Sequence, residues 1–252
     1  MLAASSVTPC CAEIFTLSRG VPHRMADSKR FLVTLLSLAL AVPLLSGDSS
    51  ISGTGQLESV IKNVMEQQRR TNTLEADFRQ EKVMALMASP EVSTGSFVFS
   101  KPNQVLWKYD APKQVTMLIA GGFLTTYYPN LNKAERVEVK KYQDRIFKYM
   151  GASGAIDELA RYFDFTFTNS AANPAYVLDL TPKTRTIAKR ARHIKIWIDK
   201  KSYLTTRFEY VEGDGDTTRY EFTNLRINKP VASDRFALNL PPTVRVEQTK
   251  LN

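Results

Sequence analysis

Between Gly95 and Pro112 the chain reads GSFVFSKPNQVLWKYDAP, two alternating segments joined by Lys101-Pro102-Asn103. That pattern predicts an antiparallel hairpin. In its first arm Phe97 and Phe99 share a face opposite Ser96, Val98 and Ser100. In the second, Val105, Trp107 and Tyr109 share a face opposite Leu106 and Lys108. Successive strand side chains point to opposite sides, so one side of the hairpin is heavily aromatic. An isolated hairpin is not stable in water, and such a side must be covered. It is either ordinary core or the wall of a cavity.

The rest of the chain supplies the cover. Leu57, Val60, Ile61, Val64 and Met65 recur at helical spacing and predict a helix of about three turns. Strands are expected at Leu74–Gln80, Gln114–Ala120, Phe123–Tyr128 and Ala134–Val139, with Val83–Ala88 leading to a turn at Ser89-Pro90-Glu91 and with Gly121-Gly122 and Pro129-Asn130 as further turns. A helical turn is expected at Asp144–Met150. Ser153 then caps a second helix whose stripe is Ile156, Leu159, Ala160 and Phe163. Strands resume at Phe165–Asn169, Ala175–Thr181, His193–Asp199, Leu204–Val211 and Thr217–Leu225. Gly213-Asp214-Gly215-Asp216 is a hairpin turn, and the tail ends in a short edge strand near Val246. About ten short strands with few helices argue for a mainly β, α+β domain with a strongly curved or closed antiparallel sheet. Its helices lie on the concave side. Residues 49–252 read as one domain.

The beginning of the chain reads differently. Met25 opens MADSKR, Phe31–Leu45 is an apolar run, and Ser46–Ser50 is small and polar. This is the pattern of a secretory signal with cleavage near Ser46–Ser50, so residues 25–48 are expected to be removed and 1–24 to be an upstream extension. Both cysteines, Cys10 and Cys11, lie in that extension. The chain carries 34 Lys and Arg against 25 Asp and Glu, net +9. The first 48 residues hold four of the former and three of the latter, which leaves +8. An exported basic protein meets anionic headgroups or acidic protein surfaces, not nucleic acid.

Groups for catalysis are sparse. There is no G-x-S-x-G, H-E-x-x-H or P-loop. His193, within Lys189, Arg190, Arg192 and Lys195, reads as a solvated surface histidine. Asp214 and Asp216 lack the further oxygen ligands of a calcium loop, and Asp157 and Glu158 are adjacent helix positions that face apart. No metal or cofactor is expected. Met84, Met87, Met117 and Met150 supply mobile thioethers, suited to gaps in a core or to a pocket that accepts several apolar shapes.

Four segments together resemble the outer-membrane lipoprotein carrier family, the LolA-like periplasmic carriers. They are Leu74–Gln80, the Gly95–Pro112 hairpin, Phe123–Pro129, and Asp234–Phe236 with Pro241–Val244. The resemblance implies an incomplete antiparallel barrel, closed by a helical lid over an apolar cavity that holds acyl chains. Phe78, Phe97, Trp107, Tyr109 and Met117 are then cavity candidates, and Ile156, Leu159, Ala160 and Phe163 form the lid. Lys101 stands where the family has an arginine that ties the lid shut, and lysine lacks that residue's planar fork. Gly121-Gly122 replaces a common Asp-Gly turn.

The implied protein is a non-enzymatic monomer of the Gram-negative periplasm. It takes acylated lipoprotein or other lipid from an inner-membrane lipoprotein-releasing complex and passes it to an outer-membrane acceptor. Two other readings use the same residues: a lipid-binding sensor or accessory protein of a dedicated lipid exporter, and a secreted esterase using His193.

Overall fold

A computed structural model of the protein describes residues 55–84, 87, 89–140 and 155–250. The expected signal and upstream extension, the turn at Asp144–Met150, and Ser153 lie outside the described residues. The first apolar stripe forms helix α1, Gly55–Arg70, which buries Leu57, Val60, Ile61 and Val64. Glu58 in its first turn and Arg69 and Arg70 in its last complement the helix dipole.

Six strands follow: β1 (Thr73–Val83), β2 (Glu91–Ser100), β3 (Gln104–Ala111), β4 (Val115–Ala120), β5 (Phe123–Tyr128) and β6 (Lys133–Glu138). Helix α2 (Ala155–Tyr162) leads into β7 (Phe163–Thr168) and β8 (Ala175–Pro182). The short helix α3 (Arg185–Ala188) leads into β9 (Ala191–Asp199), β10 (Thr205–Glu212), β11 (Thr217–Ile227) and β12 (Arg245–Lys250). Helix α3 was not expected. Its cap is Thr184, whose side chain accepts from the Ile187 amide, and the turn buries Ile187.

The twelve strands among the described residues form one sheet in the order β12-β6-β5-β4-β3-β2-β1-β11-β10-β9-β8-β7. Neighbours are antiparallel except β12 and β6, which run parallel. The sheet does not close, and β12 and β7 are its edges. Laid flat, twelve strands would spread over roughly 50 Å. Yet Val137 on β6 and Phe163 on β7 both belong to a single buried cluster with the face of α1. The sheet must therefore curl around the helices to bury both flanks.

The two faces differ in chemistry. The inner face carries the aromatic and aliphatic cluster. On the outer face Arg219 Nε donates to Glu209 at 2.8 Å and its Nη1 to Glu81 at 3.4 Å, while Arg79 pairs with Glu81 at 2.9 Å. Lys195 pairs with Asp179 at 3.2 Å, and the Arg207 guanidinium lies 4.6 Å from the Trp197 ring. A small outer patch, Val98 and Leu118, is covered by Phe236 from the 3-10 turn Ser233–Phe236.

Candidate functional site

The register of β1 to β4 brings the hairpin's aromatic face together with its neighbours. Ala76, Phe97, Trp107 and Met117 stand in line across four strands. Phe78 meets Trp107 at 5.2 Å and Tyr109 edge-on at 4.9 Å, and Phe97 meets Trp107 edge-on at 4.8 Å. All five residues singled out in the sequence thus share the inner face, where all but the half-buried Trp107 are buried. Such offset and edge-on contacts add about 0.5–1.5 kcal/mol per pair beyond area burial.

Sequence reasoning missed Tyr220 and Phe222, which β11 places beside β1. Tyr220 lies 5.7 Å and Phe222 6.4 Å from Trp107, and the Tyr109 and Tyr220 hydroxyls are 3.4 Å apart. Their alternation with Thr218 marked a strand, but nothing local paired that strand with β1. Gly95 makes the cluster possible. It sits at a shift in the β2–β3 register, where a Cβ would stand 1.9 Å from the Lys108 carbonyl and 2.7 Å from the Phe78 ring. Trp107 Nε1 is buried with no hydrogen-bond partner among the described residues.

The apolar lining gives way to polar groups at β6. Lys133 bonds Glu135 and Glu247 at 2.9 Å each, and these bonds raise its pKa, that to Glu135 most. Burial, helped by the Glu135 carboxylate, pushes the nearby Tyr128 phenol well above its ordinary range.

Two helices lie over the inner face, and each ends on a lysine. Lys101 Nζ donates to the Arg69 carbonyl at 2.7 Å and the Gln68 carbonyl at 3.5 Å, at the C-terminus of α1. Asn228 Nδ2 donates to the Arg70 carbonyl at 3.0 Å, and the Thr71 hydroxyl to Gln67 at 2.8 Å. The last four carbonyls of α1, which no helical amide can reach, are all satisfied. Lys101 therefore contacts α1; the lysine bonded to α2 is Lys183. Its Nζ donates to the Ala160 carbonyl at 2.7 Å and its amide to Tyr162 at 2.9 Å.

Of the stripe read on the second helix, Ala160 is buried and Leu159 packs against the core. The Ile156 side chain lies outside the described residues. Phe163 is not on the helix. It is the first residue of β7 and is fully buried, because the chain turns from helix to strand at Tyr162 and the same apolar stripe continues into the sheet.

The histidine stands apart from this face. His193 is half-buried, not freely solvated, and its Nε2 is bonded to Asp179, which also holds Lys195. These groups alternate with the buried Ile194 and Ile196 and so lie on the outer face. Among the described residues no three His, Cys, Asp or Glu side chains converge as metal ligands, and no helix is long and apolar enough to cross a membrane. Met117 is buried on the inner face, Met87 is exposed, and Met84 is half-buried. Met150 lies outside the described residues.

Comparison with known proteins follows this geometry. The outer-membrane lipoprotein carrier protein of Pseudomonas fluorescens is 23% identical over 219 residues, covering 86% of this chain and 98% of its own. That of Cupriavidus taiwanensis is 27% identical over 221 residues, covering 84% and 95%. An uncharacterized conserved protein of known structure from Thermus thermophilus shares the fold, with TM-score 0.51 and 8% identity over 77% of this chain and 99% of its own. The family profile described as outer membrane lipoprotein carrier protein LolA matches residues 69–239, from the end of α1 through the segment that covers the outer patch. The chain belongs to the outer membrane lipoprotein carrier family.

Proposed function

We propose that this protein is a periplasmic carrier that shields the acyl chains of lipoproteins between inner and outer membrane. The observation that carries the reading is the apolar wall around Trp107, roofed by helices α1 and α2, each with a lysine bonded at its C-terminus. Moving acyl chains through water exposes apolar carbon at about 0.8 kcal/mol per CH₂. A carrier must hide that surface and release it again, which calls for an apolar lining and a cover that moves when cargo enters, and for no catalytic group.

On this reading Phe78, Phe97, Trp107, Tyr109 and Met117, joined by Tyr220 and Phe222, line the cargo site. Helices α1 and α2 form the lid. Cargo arrives from an inner-membrane lipoprotein-releasing complex and leaves to an outer-membrane acceptor. The test is release of a labelled lipoprotein from spheroplasts by the purified protein, with mass spectrometry of what it holds. Wild type is expected to release lipoprotein and carry acylated cargo, and Trp107→Asp to do neither while keeping its fold. Release unaffected by a charge at Trp107 would remove the inner face as the cargo site.

A further inference from the structure

All five exposed large apolar side chains among the described residues lie at one end of the sheet. They are Val83, Met87, Val92, Leu131 and Val246. The register fixes this placement. The end holding the β1–β2 connection also holds the β3–β4, β5–β6 and β10–β11 turns and the start of β12, as the pairs Lys82–Glu91, Tyr109–Val115, Tyr128–Lys133, Val211–Thr217 and Arg245–Lys133 show. Lys101 and the end of α1 lie at the opposite end, beside Thr73–Ser100. Leu131 is 69% exposed and Val246 49% exposed, far from the burial expected of side chains with core neighbours.

The same end carries concentrated positive charge. From Lys183 to Arg192, the β8–β9 connection and the start of β9, five of ten residues are Lys or Arg and none is Asp or Glu. Arg185, Lys189 and Arg192 are exposed there. Among the described residues, none of the three side chains has a hydrogen bond or ion pair. Acids share this end: Asp110 is paired with Lys108 at 3.0 Å, Asp164 lies 3.9 Å from Lys183, Glu212 is buried at the end of β10, and Asp214 and Asp216 stand on the β10–β11 turn.

We propose that this rim, with Leu131 and Val246 at one side and Arg185, Lys189 and Arg192 at the other, docks on an anionic phospholipid surface. The apolar side chains fall in two groups: Val83, Met87 and Val92 flank the β1–β2 connection, and Leu131 and Val246 stand at β6 and β12, with β3, β4 and β5 between. A protein partner would have to match each tip with a pocket, whereas a fluid headgroup layer admits scattered tips without a matching shape. Cations on the same rim reach lipid phosphates and gain from the negative surface potential. This surface is distinct from the inner face, and its test reads no cargo, so it stands or falls separately from the carrier reading.

The experiment is co-sedimentation of the soluble chain with phosphatidylcholine vesicles, with and without phosphatidylglycerol. Three double or triple variants leave residues 1–54 unchanged, so any membrane affinity of the Phe31–Leu45 run cancels between them. Wild type is expected to prefer the anionic vesicles. Leu131→Glu with Val246→Glu should weaken binding about tenfold, as should Arg185→Glu with Lys189→Glu and Arg192→Glu. Lys201→Glu with Lys229→Glu, at the opposite end, should leave it unchanged. Equal loss in that last variant would show that total charge, not the rim, governs binding and would overturn the proposal. Absence of anionic preference, or capture of an acidic protein without vesicle binding, would do the same. Because a charged variant can fail to fold, Leu131→Trp provides a second measurement: brominated lipid should quench it beyond the background of Trp107 and Trp197, and no added quenching refutes insertion.

Discussion

Replacing Lys101 with Met removes the bonds to Arg69 and Gln68 while keeping most of the side chain's length. Lys101 is exposed, so its 2.7 Å contact competes with water. A cation at a helix C-terminus is worth about 0.3–1 kcal/mol, and we take about 1 kcal/mol as the upper value. Against this stand four buried side chains, Leu57, Val60, Ile61 and Val64. Each contributes about 1.5–3 kcal/mol, and the four together about 6–12 kcal/mol. Packing wins by a wide margin. Loss of the lysine should therefore fray the last turn of α1 without freeing the helix. In amide hydrogen exchange, residues 67–71 are expected to exchange up to about fivefold faster. Val60 to Val64 and the sheet should be unchanged, and Lys101→Arg should restore the wild-type rate. Unchanged exchange in the last turn would mean that the bond contributes nothing. Acceleration along the whole helix would mean that the packing estimate is wrong and that Lys101 governs the cover.

Lys183→Met should produce the matching effect on α2, faster exchange at Ala160–Tyr162 with α1 unaffected. Equal changes in both helices would show that they move as one body. Gly95→Ala forces a Cβ to within 1.9 Å of a backbone carbonyl, and urea denaturation should show a loss of about 1–3 kcal/mol; a loss below about 0.5 kcal/mol would mean that the bulge relaxes freely. The Ser202 amide, followed by the Ser202 hydroxyl and the Lys201 amide, holds the Asp199 carboxyl below the usual aspartate range. A depressed folded-state pKa stabilises above the unfolded value and is lost as pH falls through the folded one. The stability gap between wild type and Asp199→Asn should accordingly be full at neutral pH and shrink as pH drops through the ordinary aspartate range and below, and a gap that is flat with pH would refute the assignment.

The inner face was legible because strand periodicity is local. Phe97, Trp107, Tyr109 and Met117 share a side for reasons contained within a few residues, and so does the stripe of α1. Tyr220 and Phe222 were equally periodic, but their pairing with Phe78 depends on β11 finding β1 across most of the chain. The lysine contacts divided in the same way. Lys101 drew attention through family resemblance, yet its bond runs to α1. Lys183 carried no local signal, and only the turn from α2 into β7 brings the Ala160 carbonyl within its reach. Phe163 shows the limit of a helical stripe read alone. One more apolar residue at the right spacing extends the pattern, although the backbone has already become strand.

The central position of β1 bears on how the chain reaches its fold. It pairs on one side with β2, its neighbour in sequence, and on the other with β11, through side-chain bonds between residues 138 to 151 apart in sequence. Such pairings form slowly, because a long loop must close before any contact repays it. Until β11 emerges, the first six strands, β1 to β6, which can assemble in sequence, expose the edge of β1, a row of unpaired amides and carbonyls able to recruit a strand from another molecule. Protection of that edge, more than the stability of the finished sheet, should decide how much of this protein folds and how much aggregates.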